Sequence, residues 1–115
     1  MEYAKLGTSD LNVSTVGLGC NNFGMRLFDQ EQVNVIVNTA LDAGINFFDT
    51  AELYAVPPKK ETYGKTEEII GNWFHKRKSR EKVILASKIA GNGLSWIRNG
   101  GFQYDEKNIT EAIEK

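Results

Sequence analysis

Short apolar stretches and amphipathic stretches alternate along this chain in the order β-α-β-α-β-α, and that alternation restricts the fold more than any other feature. Such a pattern gives parallel strands, because each return to the same sheet edge needs a helical crossover, and these crossovers are right-handed. Strands are expected over residues 15–20, 45–50 and 83–87, each dense in apolar residues as suits a sheet covered by helices. Asp29 is placed to cap the first helix, with Gln32 three residues on to reach back. Val33, Ile36, Val37, Ala40 and Leu41 then form one stripe, and Gly44 stops the helix. A second helix is expected over 66–76, burying Ile69, Ile70, Trp73 and Phe74. A glycine-rich loop through Gly91, Gly93, Gly100 and Gly101 leads to a third helix begun by Asp105. Ahead of all this, residues 3–6 and 11–14 flank Gly7-Thr8-Ser9-Asp10, a turn composition, and read as a hairpin. The third helix runs to Lys115 with neither cap nor glycine, which reads as a truncation.

A chain of 115 residues can bury one modest core. A net charge of −1 gives no reason to expect a nucleic acid or an anionic membrane as partner. The one basic run, Lys76-Arg77-Lys78 with Arg80, falls where the second helix ends and answers the carbonyl end of its dipole. Nothing resembles a secretory signal or approaches the ~20 apolar residues that cross a bilayer. Cys20 is the sole cysteine, so no intrachain disulfide can form and a reducing cytosol fits best. A small hydrophobe is its default role; its place at a strand end also allows contact with a ligand.

Three chemical groups stand at the carboxyl ends of expected strands: Asp49, Tyr54 in the loop just beyond it, and Lys88. With side chains alternating in period two, Phe47 and Asp49 share one face, as do Ile84, Ala86 and Lys88. A register turning Asp49 and Lys88 to the same side lets them pair. The ammonium then favours the phenolate form of a nearby tyrosine, whose unperturbed pKa is about 10, and makes it a proton donor for carbonyl reduction. The competing reading is one ion pair plus an unrelated loop aromatic. His75, beside Trp73 and Phe74 near the end of the second helix, reads as an ordinary helix residue. Gly17-Leu18-Gly19 lacks the third glycine of a dinucleotide fingerprint, since Asn22 stands there. A phospho-receiver domain would need an acidic pair after the first strand, and Cys20-Asn21-Asn22 has none.

The run from Gly44 to Tyr54, Gly-Ile-Asn-Phe-Phe-Asp-Thr-Ala-Glu-Leu-Tyr, resembles the Asp-to-Tyr signature of the aldo-keto reductases. Ile84-Leu85-Ala86-Ser87-Lys88 resembles the strand that carries their catalytic lysine. Val56-Pro57-Pro58, Glu61-Thr62 and Gly71-Asn72-Trp73 are similar to the Tas-type bacterial branch. The resemblance implies a (β/α)₈ TIM barrel closed at its bottom by an amino-terminal hairpin, with the active site on the carboxyl rim of the strands. Residues 1–115 would be its opening part, the hairpin plus three β/α units. It further implies NADP(H)-dependent reduction of aldehydes and ketones, with Tyr54 as the acid, Lys88 tuning it and Asp49 holding Lys88. Gly19, Cys20 and Asn21 would lie beside the nicotinamide together with Asp49 and Tyr54, although many relatives carry Thr-Met in place of Cys20-Asn21. The family's catalytic histidine and its phosphate-binding loops would fall outside these residues. The expectations that follow are an inactive isolated chain, two unpaired strand edges and self-association. A non-catalytic regulatory subunit on the same scaffold is the alternative.

Overall fold

The computed structural model describes residues 1–25, 28–98 and 103–115; Gly100 and Gly101 of the expected glycine-rich loop lie outside them. Strands β1 (Tyr3–Lys5) and β2 (Asn12–Ser14) form the expected antiparallel hairpin, with Tyr3 opposite Ser14. Strands β3 (Leu18–Gly19), β4 (Phe47–Asp49) and β5 (Ile84–Ala86) form a parallel sheet in the order β3-β4-β5. Helix α1 (Gln30–Asp42) connects β3 to β4, helix α2 (Lys65–Arg77) connects β4 to β5, and helix α3 (Glu106–Glu114) follows β5.

The regular parallel strands are shorter than their apolar runs. The ladder continues outside the regular strands, with Cys20 N–H donating to Asp49 O, Thr50 N–H to Ala86 O and Ile84 N–H to Asn46 O. Asn46 is also drawn to the hairpin. Its Oδ1 accepts from Ser14 N–H at 2.7 Å and its Nδ2 donates to Asn12 O at 3.0 Å, so the hairpin is moored where β4 begins. The Tyr3 hydroxyl donates to Gly44 O at 2.7 Å from the same end. Gly44 has φ +96° just past α1, the left-handed conformation that ends a helix at glycine.

Local signals explain the helices. Asp29 accepts from Gln32 N–H at 3.0 Å and opens α1, and Asp105 accepts from Asn108 N–H at 2.8 Å and opens α3. Helix α2 has no side-chain cap at Gly64; instead buried Thr66 donates to Phe23 O at 2.6 Å and ties its first turn to the segment after β3. It ends in a left-handed Lys78, and a 3₁₀ turn over Arg80–Lys82 leads into β5.

The core lies between the sheet and the inner faces of α1 and α2. Phe48 (0% exposed) meets Trp73 (1% exposed) with ring centroids 5.9 Å apart, among Val33, Val37, Ile69, Ile70 and Val83. Phe74, expected inside, is only half-buried, and Arg80 lies over its ring. Asn34 is buried without a sequence signal, accepting from Gln30 Nε2. Asp49 alternates with Phe48 and stands exposed on the opposite, open face. The radius of gyration is 15.0 Å, above the ~13 Å of a closed sphere-like domain of this length, as an open-faced layer requires. No helix among the described residues is long and apolar enough to cross a membrane.

Candidate active site

The β4–β5 register pairs Asp49 with Ala86, and Lys88 lies two residues further along, back on the face of Ala86. Lys88 Nζ consequently reaches both carboxylate oxygens of Asp49, at 2.9 and 3.0 Å, and the carbonyl of Thr50 at 2.7 Å. An ammonium has three N–H donors, and these acceptors engage all of them. Burial pulls the Lys88 ammonium down, but its hydrogen bond to Asp49 and its proximity to Tyr54 outweigh burial and hold its pKa above the ordinary lysine value.

Tyr54 arrives from the loop after β4. Its N–H donates to Ala51 O, its carbonyl accepts from Thr66 N–H at the start of α2, and Val56 N–H donates to Asn21 O across the rim. These bonds fold the loop back so that Lys88 Nζ stands 5.0 Å from the centre of the Tyr54 ring. The carboxylate, ammonium and phenol expected at the strand ends therefore meet at one rim of the sheet.

The expected cofactor neighbours divide. Gly19 is the β3 partner of Asp49, and a Cβ added there would meet nothing within 4 Å. Asn21 is exposed beside it. Cys20 is different: its side chain is 0% exposed and belongs to the core, and its thiol donates to Leu18 O. Burial first, and then the Asp49 charge, push that thiol up to about 12. Alternation along β3 turns Cys20 inward, so its side chain does not face the rim. A planar nicotinamide fits the residues present, since the floor at Gly19 is open and Asp49 and Lys88 are both half exposed next to it. His75 is exposed on α2.

Sequence reasoning missed Glu52. In the loop after β4, residues 57–61 are exposed, but Ala51, Glu52 and Ala55 are buried. Glu52 is 3% exposed, pairs with Arg98, and accepts from Ala90 N–H at 2.9 Å. The available signal was a single carboxylate between Ala51 and Leu53, directly after an apolar strand.

An open parallel β/α layer with a moored hairpin and a carboxylate, an ammonium and a phenol at the carboxyl rim defines part of a (β/α)₈ barrel of the reductase type. Residues 15–115 match the aldo/keto reductase family, and the chain belongs to it, a family of oxidoreductases. It is 43% identical over 116 residues to the Tas protein of Escherichia coli K12, covering 98% of this chain and 33% of that protein. It is 31% identical over 118 residues to the aldo-keto reductase YhdN of Bacillus subtilis 168, covering 99% of this chain and 33% of that protein. The fold superposes on a Bacillus halodurans aldo-keto reductase solved in holo form with a TM-score of 0.76 at 32% identity, covering 99% of this chain and 34% of the other. The chain thus spans about a third of the length of the relatives it matches.

Proposed function

We propose that this protein reduces small aldehydes or ketones to alcohols with NADPH, using Tyr54 as proton donor. The observation that carries the reading is the convergence of Asp49, Lys88 and Tyr54 on the open rim, with Lys88 Nζ 5.0 Å from the phenol ring. Bound reduced nicotinamide would supply hydride to the carbonyl carbon. Tyr54 gives its hydroxyl proton to the carbonyl oxygen in the same step and is left as phenolate. The Lys88 charge stabilises that phenolate, and Asp49 with Thr50 O keeps the ammonium oriented and charged. Gly19 and Asn21 would border the nicotinamide, with Cys20 contributing only its main chain. The holo form of the Bacillus halodurans relative supports a bound cofactor.

As part of the same reading, the protein works in the cytosol on a diffusible carbonyl compound, with no nucleic-acid or membrane partner. The 115-residue chain by itself does not turn over, and its open sheet face favours self-association. Oxidation of NADPH with 4-nitrobenzaldehyde by the intact protein, abolished by Tyr54→Phe, is the expected result. Tight NADPH binding with no turnover of any aldehyde or ketone tried would instead indicate a regulatory subunit on this scaffold.

A further inference from the structure

We infer that Glu52 is a positioning residue for Lys88: its side chain replaces a missing rung of the β4–β5 ladder and fixes the backbone that carries the ammonium. The inference rests on the reading that Lys88 serves proton transfer. Parallel strands bond in an even alternation, each residue on one strand bridging two on its neighbour. Beyond the regular strands two rungs persist on one side of that alternation, Thr50 N–H to Ala86 O and Glu52 N–H to Lys88 O, while Thr50 O accepts from the Lys88 side chain. The next rung would run from Ala90 N–H to Glu52 O. That carbonyl is instead turned to the start of α2, where it accepts from Gly64 N–H. Ala90 N–H goes instead to the Glu52 carboxylate at 2.9 Å, and Ala90 O accepts from Arg98 at 3.2 Å.

Both polar groups of the buried Ala90 peptide are thus held by a buried ion pair that the loop and the chain after β5 form between them. The segment from Lys88 to Ala90 is held at both ends by one residue, the Lys88 carbonyl on the Glu52 N–H and the Ala90 N–H on the Glu52 side chain. The same loop, two residues later, carries Tyr54. Glu52 therefore sets the spacing between the strand end that bears the ammonium and the loop that bears the phenol. Reacting groups displaced by about 1 Å lose about 10²-fold in rate.

The test compares Glu52→Ala and Glu52→Gln with the wild-type intact protein. Three quantities are read: hydrogen exchange at the Ala90 amide, titration of the Lys88 ammonium by NMR of the reductively methylated protein, and kcat and KM for NADPH oxidation with 4-nitrobenzaldehyde. Glu52→Ala is expected to speed Ala90 exchange at least ~10-fold, to move the Lys88 titration toward the ordinary lysine value, and to lower kcat about 10²-fold with KM little changed. Glu52→Gln, whose amide oxygen can still accept from Ala90, is expected to restore most of each. A folded Glu52→Ala with wild-type kcat and Lys88 titration would overturn the inference. So would a Glu52→Gln no better than Ala, which would show that buried charge alone matters. If Glu52→Ala does not fold, Glu52→Asp, one methylene too short to reach Ala90, takes its place with the same expectations. Absence of turnover in the wild type would remove the reductase reading, while the amide and ammonium measurements would still decide whether Glu52 positions Lys88.

Discussion

Lys88 Nζ and the Asp49 carboxylate are in bidentate contact at 2.9 and 3.0 Å, yet each side chain keeps 51% of its surface exposed. Exposed pairs of this kind contribute only about 0–1 kcal/mol to stability, because water screens the attraction and two long side chains must be ordered. The pair thus adds little to the fold and much to the electrostatics of the rim. Lys88→Met and Asp49→Asn are each expected to change unfolding free energy by less than about 1 kcal/mol. Both should lower kcat for NADPH-linked carbonyl reduction by about 10²–10⁴-fold, the usual share of a general acid and its support. Denaturant titration beside steady-state kinetics on the same preparations separates the two effects.

Trp73 and His75 share helix α2 but not its environment. Trp73 packs on Phe48 in the core and donates from Nε1 to Asn38 at 2.8 Å, whereas His75 is exposed. Trp73→Ala should cost about 3–5 kcal/mol through the cavity it leaves. His75→Ala should stay within about 0.5 kcal/mol. Equal losses from both, measured by urea denaturation, would contradict the packing described.

Asn46 joins the hairpin to the sheet with two side-chain hydrogen bonds, one of them to the backbone N–H of buried Ser14. Asn46→Ala would strand that N–H without its partner, a loss of about 1–3 kcal/mol. Hydrogen exchange should show the hairpin amides opening before those of β4 and β5. Uniform exchange across both sheets would argue against a separately moored hairpin.

Alkaline pH should destabilise the fold, and Cys20 supplies the first part of the effect. Its thiol lies at about 12 in the folded state against an ordinary value of 9.0. Between those values the folded chain keeps a proton that the unfolded chain releases, so stability falls as pH rises from about 9. Lys88 acts in the same direction at higher pH. Its raised folded pKa contributes stability that is complete below 10.5 and is lost as pH climbs through the folded value. Midpoints of urea unfolding at pH 8, 9.5 and 10.5 should decline, and Cys20→Ala should flatten the first step. The native thiol should also react with a disulfide reagent at pH 8 far more slowly than the unfolded one.

Gly44→Ala tests the bottom of the layer. At φ +96° a Cβ is disfavoured by roughly 1–2 kcal/mol, and here it would also meet the Tyr3 hydroxyl at 2.9 Å and Met1 Cβ at 3.0 Å. Thermal unfolding should register at least that loss, along with disruption of the Tyr3–Gly44 hydrogen bond.

Element order and the chemistry of the rim could be read in the residues because their causes are local or periodic. Asp29, Gly44 and Asp105 act on backbone groups within a few positions of themselves, and the apolar spacing of α1 and α2 selects their buried sides. Alternation in period two set Asp49 on one face of its strand and Lys88 with Ala86 on one face of the next, and the register that brings them together came from the packed sheet. Tertiary structure alone decided the remainder. It turned the Tyr54 ring toward Lys88 and buried Glu52 against Arg98 and Ala90. Each of these outcomes depends on partners some 30 to 46 positions away in the chain. A residue's own neighbours carry no record of which distant donor, acceptor or ring will close over it, and only the packed layer resolves that competition.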